Sequence, residues 1–210
     1  MKILQLVFIF ILGVLLTFTM LFYELPFWLI FITIMLFYFL IQIGPQLHTV
    51  YWSNNLKRIE RHLIKHKKNP LFALPLAIKT EDREKIMQAI QEVLISYKSP
   101  YIQEVYKTML AVYEGNVSRA ESFAKQISKE PLRSYYIAYV EVLKGNYEEA
   151  RSIKDVKLKS LWMKHAIEAL IAKEKGDRLL YEKEASLSIS HAKGVQKYSL
   201  YYSIQHYQAV

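Results

Sequence analysis

The side chains of this sequence best suited to catalysis or metal binding are its histidines, and none occurs in a pattern typical of an active site. His62 and His66 are four residues apart, a spacing at which two histidines on a helix can bind one metal ion. They lie among lysines and arginines with no third ligand nearby, so we interpret them as structural or solvated. His165 and Glu168 are three residues apart beside Lys164, which favours a surface pair over an acid–base couple.

The other reactive groups also lack the partners that catalysis needs. His191 and His206 have no evident nucleophile or carboxylate near them in the sequence. The absence of cysteine excludes disulfides, thiolate metal sites and cysteine nucleophiles. The six glycines are scattered, and none forms a phosphate-binding loop or a dinucleotide fingerprint. The sequence therefore predicts no catalytic residue, no metal site and no cofactor, and we expect that the protein is not an enzyme.

Two apolar segments at the N-terminus determine where the rest of the chain is placed. Residues 3–23 and 27–43 contain no charged side chain, and Glu24 is the only one between them. At about 1.5 Å per residue they form helices of roughly 31 and 25 Å, close to the hydrocarbon core of a bilayer at about 30 Å. We predict a transmembrane helical hairpin, residues 1–45, in which threonines such as Thr17 and Thr33 bond within their own helix or to a neighbour.

Three other interpretations fit the apolar segments less well. A cleaved signal peptide needs a small-residue cleavage site, whereas here the apolar run simply resumes after Pro26. A buried hairpin in a soluble protein needs one polar side, and neither segment has one. A transporter or channel usually has ionisable residues within its spans, and these spans have none.

A basic cluster after the second segment predicts the orientation of the hairpin. It contains six lysines and arginines against one acid, Glu60. Positive residues near a span are retained on the cytoplasmic side, so we expect both termini in the cytoplasm, the Glu24 turn outside, and a multi-pass protein of a bacterial inner membrane. The cluster consists of Lys57, Arg58, Arg61, Lys65, Lys67 and Lys68.

The basic cluster lies in a predicted linker helix, residues 46–68, which follows a break at Gly44 and Pro45. Its apolar residues share one face at helical spacing, and its bases crowd the others. Such a helix binds the anionic inner leaflet, or it only sets topology and exposes a solvated face; the sequence leaves both open. The apolar residues are Leu56, Ile59, Leu63 and Ile64.

Residues 69–210 are predicted to form an all-α domain, because no window alternates apolar and polar residues long enough for a sheet. Within it one turn recurs: a glycine followed by Asn or Asp, at intervals of 30 and 31 residues. Glycine accepts the left-handed conformation that ends one helix, and Asn or Asp caps the next. The turns are Gly115-Asn116, Gly145-Asn146 and Gly176-Asp177.

These turns resemble the helix-turn-helix junction of tetratricopeptide repeats, in which an alanine follows five residues after the glycine. Ala120 and Ala150 fit that position, whereas Tyr181 occupies it in the third turn. The repeats are also shorter than the usual roughly thirty-four residues. The resemblance covers about residues 71–190 and implies an α-solenoid whose concave face binds peptides or protein helices. It implies no catalytic residue.

The tyrosines are candidates either for packing or for a partner surface. Exposed tyrosine suits an interface, because it combines apolar area with a polar tip. We expect Tyr139 and Tyr147 to pack between helices, and we leave both readings open for Tyr136, Tyr202 and Tyr207.

The leading expectation is a membrane-anchored scaffold or adaptor that presents its helical domain to a protein partner at the cytoplasmic face. The first alternative is an accessory subunit that acts through its hairpin in a larger membrane complex. A weaker one is a membrane-proximal binder of nucleic acid or anionic lipid. Because the positive charge of residues 151–210 is interspersed with acids, we expect no nucleic-acid binding there, and no small-molecule substrate.

Overall fold

A computed structural model shows that the protein is all-helical, with 81% of the chain in helices and no strand in the part it describes. It describes the backbone of residues 3–24 and 26–205, and their side chains except those of residues 3–6, 8, 9, 12, 27 and 205. The chain forms two compact units, Met1–Val50 and Tyr51–Val210.

The helices are numbered in chain order. The first two are α1 (Ile3–Phe22) and α2 (Phe27–Tyr51). The others are α3 (Leu56–Lys65), α4 (Pro70–Lys79), α5 (Arg83–Ser96), α6 (Pro100–Tyr113), α7 (Val117–Gln126), α8 (Leu132–Leu143), α9 (Tyr147–Lys157), α10 (Leu161–Glu174), α11 (Arg178–His191) and α12 (Gly194–Gln205).

The first unit exposes an unusually large apolar surface. Among the described residues one helix is long and apolar enough to cross a membrane, Trp28–Tyr51 with 24 residues, and only 6% of its apolar window is buried. In α1 the described apolar stretch is shorter, Gly13–Phe22. Scattered exposed apolar side chains are normal, but a continuous surface of them needs an apolar environment. All but five of the exposed large apolar side chains that are described lie in residues 7–52.

The few polar side chains of these helices are bonded internally. The hydroxyl of Thr17 donates to the Gly13 carbonyl and that of Thr33 to the Leu29 carbonyl, each at 2.8 Å. Such bonds to the preceding helical turn remove the need for a water partner. The expectation that these threonines bond within their own helix is confirmed.

The second apolar helix does not end at Gly44 and Pro45. It continues to Tyr51, and the hydroxyl of Thr49 donates to the Pro45 carbonyl at 2.8 Å. Proline removes one backbone donor, and a helix in an apolar segment can continue through that loss. The predicted linker helix is therefore two pieces: the last turns of α2, and α3 after four intervening residues.

In the second unit each helix packs on the next along the chain, from α3 to α12, and α8 also packs on α10. The last helix then returns to the first ones, since α12 packs on α3 and α4 as well as on α11. The backbone N–H of Gly194 donates to the Ser53 carbonyl at 2.8 Å, which joins the two ends of the unit. A linear repeat array, in which each repeat contacts only its neighbours, has no such contact.

Three turns inside this unit have the same geometry. Gly115, Gly145 and Gly176 have φ between 73° and 82°, the left-handed conformation. After each glycine, the next N–H bonds at 2.9 Å to the carbonyl five residues earlier, as in Asn146 to Glu141. This six-residue closure satisfies carbonyls that the helix end leaves unpaired. The positions of these turns were predicted from the sequence.

The helix after each turn packs closely against the one before it. Ala120 and Ala150, five residues after their glycines, have no exposed surface, which permits close approach of the backbones. Tyr181 occupies that position in the third pair and is also buried, within the core of α10 and α11. The third pair therefore uses a large ring where the others use a methyl group.

Gly145→Ala should lower the free energy of unfolding of the full chain by about 1–2 kcal/mol, because an L side chain resists positive φ. A Cβ at this position meets no atom within 4 Å, so conformational strain is the only cost. The measurement is denaturant unfolding of the detergent-solubilised protein, followed by circular dichroism.

The matched control is Gly145→Asn, which should cost less because asparagine tolerates the left-handed conformation better. Equal losses for the alanine and asparagine variants would contradict the conformational explanation.

Candidate functional site

Helix α3 separates its apolar and basic residues onto opposite sides. Ile59 and Leu63 are fully buried, whereas Lys57, Arg61 and Lys65 are exposed. Since residues four apart on a helix share a face, these three bases form one stripe along α3. Of the apolar residues predicted to share a face, Ile64 is half-exposed and lies beside the basic stripe. Arg58, Lys67 and Lys68 are exposed as well.

The single acid of this region does not neutralise the basic stripe. Glu60 accepts a hydrogen bond from Lys79 on α4 at 2.5 Å. The bond to Glu60 is the main cause that raises the pKa of Lys79, although burial opposes it. Within the described residues, Lys57 and Lys65 have no ion-pair partner. Positive charge on α3 is therefore concentrated on its outer face.

The inner face of α3 is covered by the C-terminal helix. The ring of Tyr198 on α12 is fully buried against Ile59 and Leu63. Lys197, one residue earlier, donates to the side-chain oxygen of Asn54 at 3.2 Å, just before α3 begins. The C-terminal helix thus places further positive charge beside the basic cluster, although 143 residues separate the two partners.

This packing bears on how the linker helix could bind the inner leaflet, which the sequence left open. An amphipathic helix that inserts into a leaflet needs a free apolar face. Ile59 and Leu63 are occupied by Tyr198, so α3 does not offer that face. The exposed bases remain available to act through charge alone.

The two histidines of α3 form an aromatic cluster. The rings of His62 and His66 are 4.5 Å apart and both lie near Phe72 of α4. Burial, and after it the charges of His66 and Lys65, lower the pKa of His62. His62 packs on Phe72 of α4, in agreement with the structural interpretation. In the described part of the chain, no group of three metal-binding side chains is assembled.

The predicted pair of His165 and Glu168 is not formed. The Nδ1 atom of His165 lies 2.7 Å from a carboxylate oxygen of Glu184, and the His165 ring stacks on that of His191 at 5.5 Å. The prediction was wrong because Glu184 comes from the next helix, 19 residues away. The nearby hydroxyl of Ser188 donates to a backbone carbonyl at 2.9 Å.

Glu168 instead belongs to an ion-pair network between α9 and α10. Arg151 and Lys154 donate to its two oxygens at 2.8 and 2.9 Å. Burial disfavours the charged carboxylate, but the hydrogen bonds from Arg151 and Lys154 outweigh it and lower the pKa of Glu168. This network joins two helices and offers no free acid or base.

The tyrosines of α8 form a half-buried aromatic cluster with α10. The ring of Tyr135 lies 5.4 Å from that of Tyr136, 6.3 Å from that of Tyr139 and 5.5 Å from that of Trp162. Burial raises the pKa of Tyr135 to about 12 and also raises that of Tyr136 well above its ordinary value. Tyr136 packs against the alanine-rich core of α6 to α8, so its ring contributes to packing.

For Tyr202 and Tyr207 the sequence also left open whether they pack or form a partner surface. Tyr202 packs on the cores around α3 and α4, with the Lys79 ammonium 5.0 Å from its ring centroid. Tyr207 lies outside the described residues. Tyr139 and Tyr147, expected to pack, both contact the core of α8 to α10.

In the first unit, α1 and α2 border an open groove of about 460 Å³. Gly13 and Thr17 form part of its wall, and the lining is almost entirely apolar. Small residues at such a spacing let another transmembrane helix approach closely. The remaining lining residues are Phe10, Val14, Leu16, Phe18, Leu21, Ile34, Phe37 and Tyr38.

Comparison with known proteins adds no assignment. No protein family, curated protein or solved structure matches the chain.

Tyr198→Phe should leave the free energy of unfolding unchanged or raise it by up to about 1 kcal/mol. Within the described residues the buried Tyr198 hydroxyl has no hydrogen-bond partner, so removing it also removes a desolvation cost. Tyr198→Ala should lower stability by about 3–5 kcal/mol, because it leaves a cavity between α3 and α12. Denaturant unfolding of the full chain measures both.

A loss of several kcal/mol for Tyr198→Phe would contradict this account and indicate that the hydroxyl has a stabilising partner.

Proposed function

We propose that this protein is a membrane-anchored interaction module, with α1 and α2 as a two-span hairpin and the second unit as a cytoplasmic platform for a protein partner. The observation that carries the proposal is the exposed apolar helix Trp28–Tyr51, which is followed after four residues by α3 of the compact helical unit. The hydrophobic effect opposes leaving such a surface in water, and a bilayer accepts it.

The charges support a cytoplasmic position for the second unit. Six exposed bases follow the end of α2 within 17 residues, and Glu60 among them is paired with Lys79. The positive-inside rule places such a segment on the cytoplasmic side. Both termini are then cytoplasmic, in the inner membrane of a bacterial cell.

The helical pairs support the role of partner binding. The turns at Gly115, Gly145 and Gly176 share the geometry of one repeated unit, which favours a tetratricopeptide-like array. The half-buried cluster around Tyr135 and Trp162 is rich in rings that form anchors at protein interfaces. A peptide or helix of a partner protein is the ligand class that such a surface suits.

The full-length protein should stay in the membrane pellet after alkaline carbonate and high-salt washes, because an integral anchor does not depend on charge. Protease added to intact protoplasts should leave the second unit undigested, and the same protease after lysis should cleave it. The readout is immunoblotting against a C-terminal tag.

A variant with Lys57, Arg61, Lys65 and Lys68 changed to glutamine is the control for peripheral attachment. It should also remain in the carbonate pellet. Release of the wild-type protein by carbonate, or digestion of its C-terminal tag in intact protoplasts, would refute the proposal.

A second function is favoured by the groove between α1 and α2: an accessory subunit whose hairpin binds a helix of a larger membrane complex. Gly13 supports this because a Cβ there meets no atom within 4 Å, so its small size is not needed within the chain itself. Close helix approach in membranes uses such positions.

Replacing residues 1–45 with an unrelated two-span anchor separates the two functions. Under the leading proposal, partners crosslinked in intact membranes persist after the exchange; under the second, they are lost. Gly13→Leu should abolish crosslinking only under the second, because the larger side chain fills the groove.

The matched control is Leu15→Phe, which adds volume on an exposed residue outside the groove lining. Equal loss for both substitutions would rule out the groove as the binding site.

A further inference from the structure

We propose that the outer face of α3, with Lys57, Arg61 and Lys65, together with Lys68 in the turn after α3, binds the phosphate headgroups of anionic phospholipids in the cytoplasmic leaflet. We call these four residues the basic face. The inference rests on the proposed anchoring of α2 in the membrane. It adds a ligand class and a defined surface to that anchoring.

The bases of the basic face have no ion-pair partner among the described residues. Glu60, the only acid between Ser53 and Thr80, is paired with Lys79 on α4. Unpaired cations on one face complement an array of phosphates.

The contact is restricted to the surface of the headgroups. The residues that an inserting helix buries in lipid, Ile59 and Leu63, are already buried against Tyr198. Only Ile64, half-exposed, offers apolar area beside the basic face. Binding should therefore depend on lipid charge and weaken with salt, since exposed charges are screened beyond about 8 Å at physiological ionic strength.

The covalent connection keeps α3 near the membrane. Helix α2 ends at Tyr51 and α3 begins at Leu56, so four intervening residues span at most roughly 17 Å. Tyr51 and Trp52 are both more than half exposed, and such aromatic residues are enriched at the membrane interface. The start of the basic face is thus tethered within reach of headgroups.

A nucleic acid is the other polyanion to consider, and the structure favours lipid. Binding of single-stranded nucleic acid usually combines cations with aromatic rings on which bases stack. The outer face of α3 has no ring, and the two histidines of this helix are half-buried beside Phe72. Phosphates presented in a plane need cations only.

Lys197 and the exposed Lys193 enlarge the positive region at the start of α3. Lys197 reaches Asn54, and Lys193 precedes the glycine whose N–H bonds to Ser53. Lys197 lies on α12 and Lys193 directly before it, so the charge near the membrane tether depends on the closure of the second unit. They are not part of the basic face and are left unchanged in the test.

The test uses the full-length protein in nanodiscs of phosphatidylcholine, with or without phosphatidylglycerol. The chain has no cysteine, so Ile64→Cys introduces a single site for a fluorescent dye beside the basic face. Val156→Cys, exposed on α9, is the control site. The readout is quenching of the dye by a nitroxide on the lipid headgroup.

With phosphatidylglycerol, quenching at residue 64 should increase and should fall again as salt is raised, while quenching at residue 156 changes less. Changing the basic face to glutamine in the Ile64→Cys background should abolish the increase. The matched control changes four exposed lysines elsewhere, for the same change in net charge, and should keep it. These are Lys107, Lys157, Lys159 and Lys183.

Each other outcome overturns the inference. Protein that does not co-elute with nanodiscs refutes the membrane anchor and the headgroup site together. Protein that co-elutes but shows equal quenching in both lipids refutes the headgroup site and leaves the anchor standing. A third outcome is that the wild type binds labelled RNA in neutral nanodiscs, the glutamine variant does not, and phosphatidylglycerol has no effect on quenching. That outcome assigns the basic face to nucleic acid instead. The salt titration uses the Ile64→Cys protein with its basic face intact, so it does not depend on whether the glutamine variant folds.

Discussion

Burial of Tyr198 against Ile59 and Leu63 is the contact on which the second unit depends. It brings the last helix onto the first and is reinforced by the backbone bond from Gly194 to Ser53. Without it α3 would expose an apolar stripe, and α12 would lose its contact with α3. The same contact fixes which side of α3 faces outward, so the position of the exposed bases follows from the burial of a tyrosine about 140 residues away.

The packing of α12 on α3 and α4 also matters for the repeated helical pairs, whose apolar faces must be covered. A pair such as α8 and α9 buries its apolar faces only when neighbours stack on both sides. In the middle of the unit those neighbours are other pairs, joined by contacts such as the bonds of Arg151 and Lys154 to Glu168. At the two ends of the second unit no further pair is present, so other helices must cover the apolar faces. Helices α4 and α5 supply one, and α12, with Tyr198 and Tyr202, covers α3 and α4.

The helical turns could be predicted because they depend on residues that are close together in the sequence. The contacts between helices could not, because the residues involved are far apart in the sequence. The left-handed glycine and the Asn or Asp after it act within six residues, so the turn at Gly145 could be predicted from the sequence. The expected cap is made by Asn116 and Asp177, whereas the Asn146 side chain donates to Glu141 instead. The partner of His165 is 19 residues away and depends on how α10 meets α11. The cover of Ile59 depends on the far end of the chain. The predicted helix break at Pro45 was wrong for another reason: a helix can continue through a proline, which removes only one backbone hydrogen-bond donor.

We propose different roles for the two units because their apolar side chains differ in burial. In the second unit, apolar side chains such as Ile59, Ala150 and Ile167 are buried among helices, which leaves little apolar area to hold a membrane. In Trp28–Tyr51 almost none is buried, so under the proposal attachment comes from α2 together with α1. In the proposed arrangement, charge on α3 changes how this helix contacts the lipid headgroups, but not whether the chain is anchored. The two effects are separable because one is apolar and insensitive to salt, while the other is electrostatic.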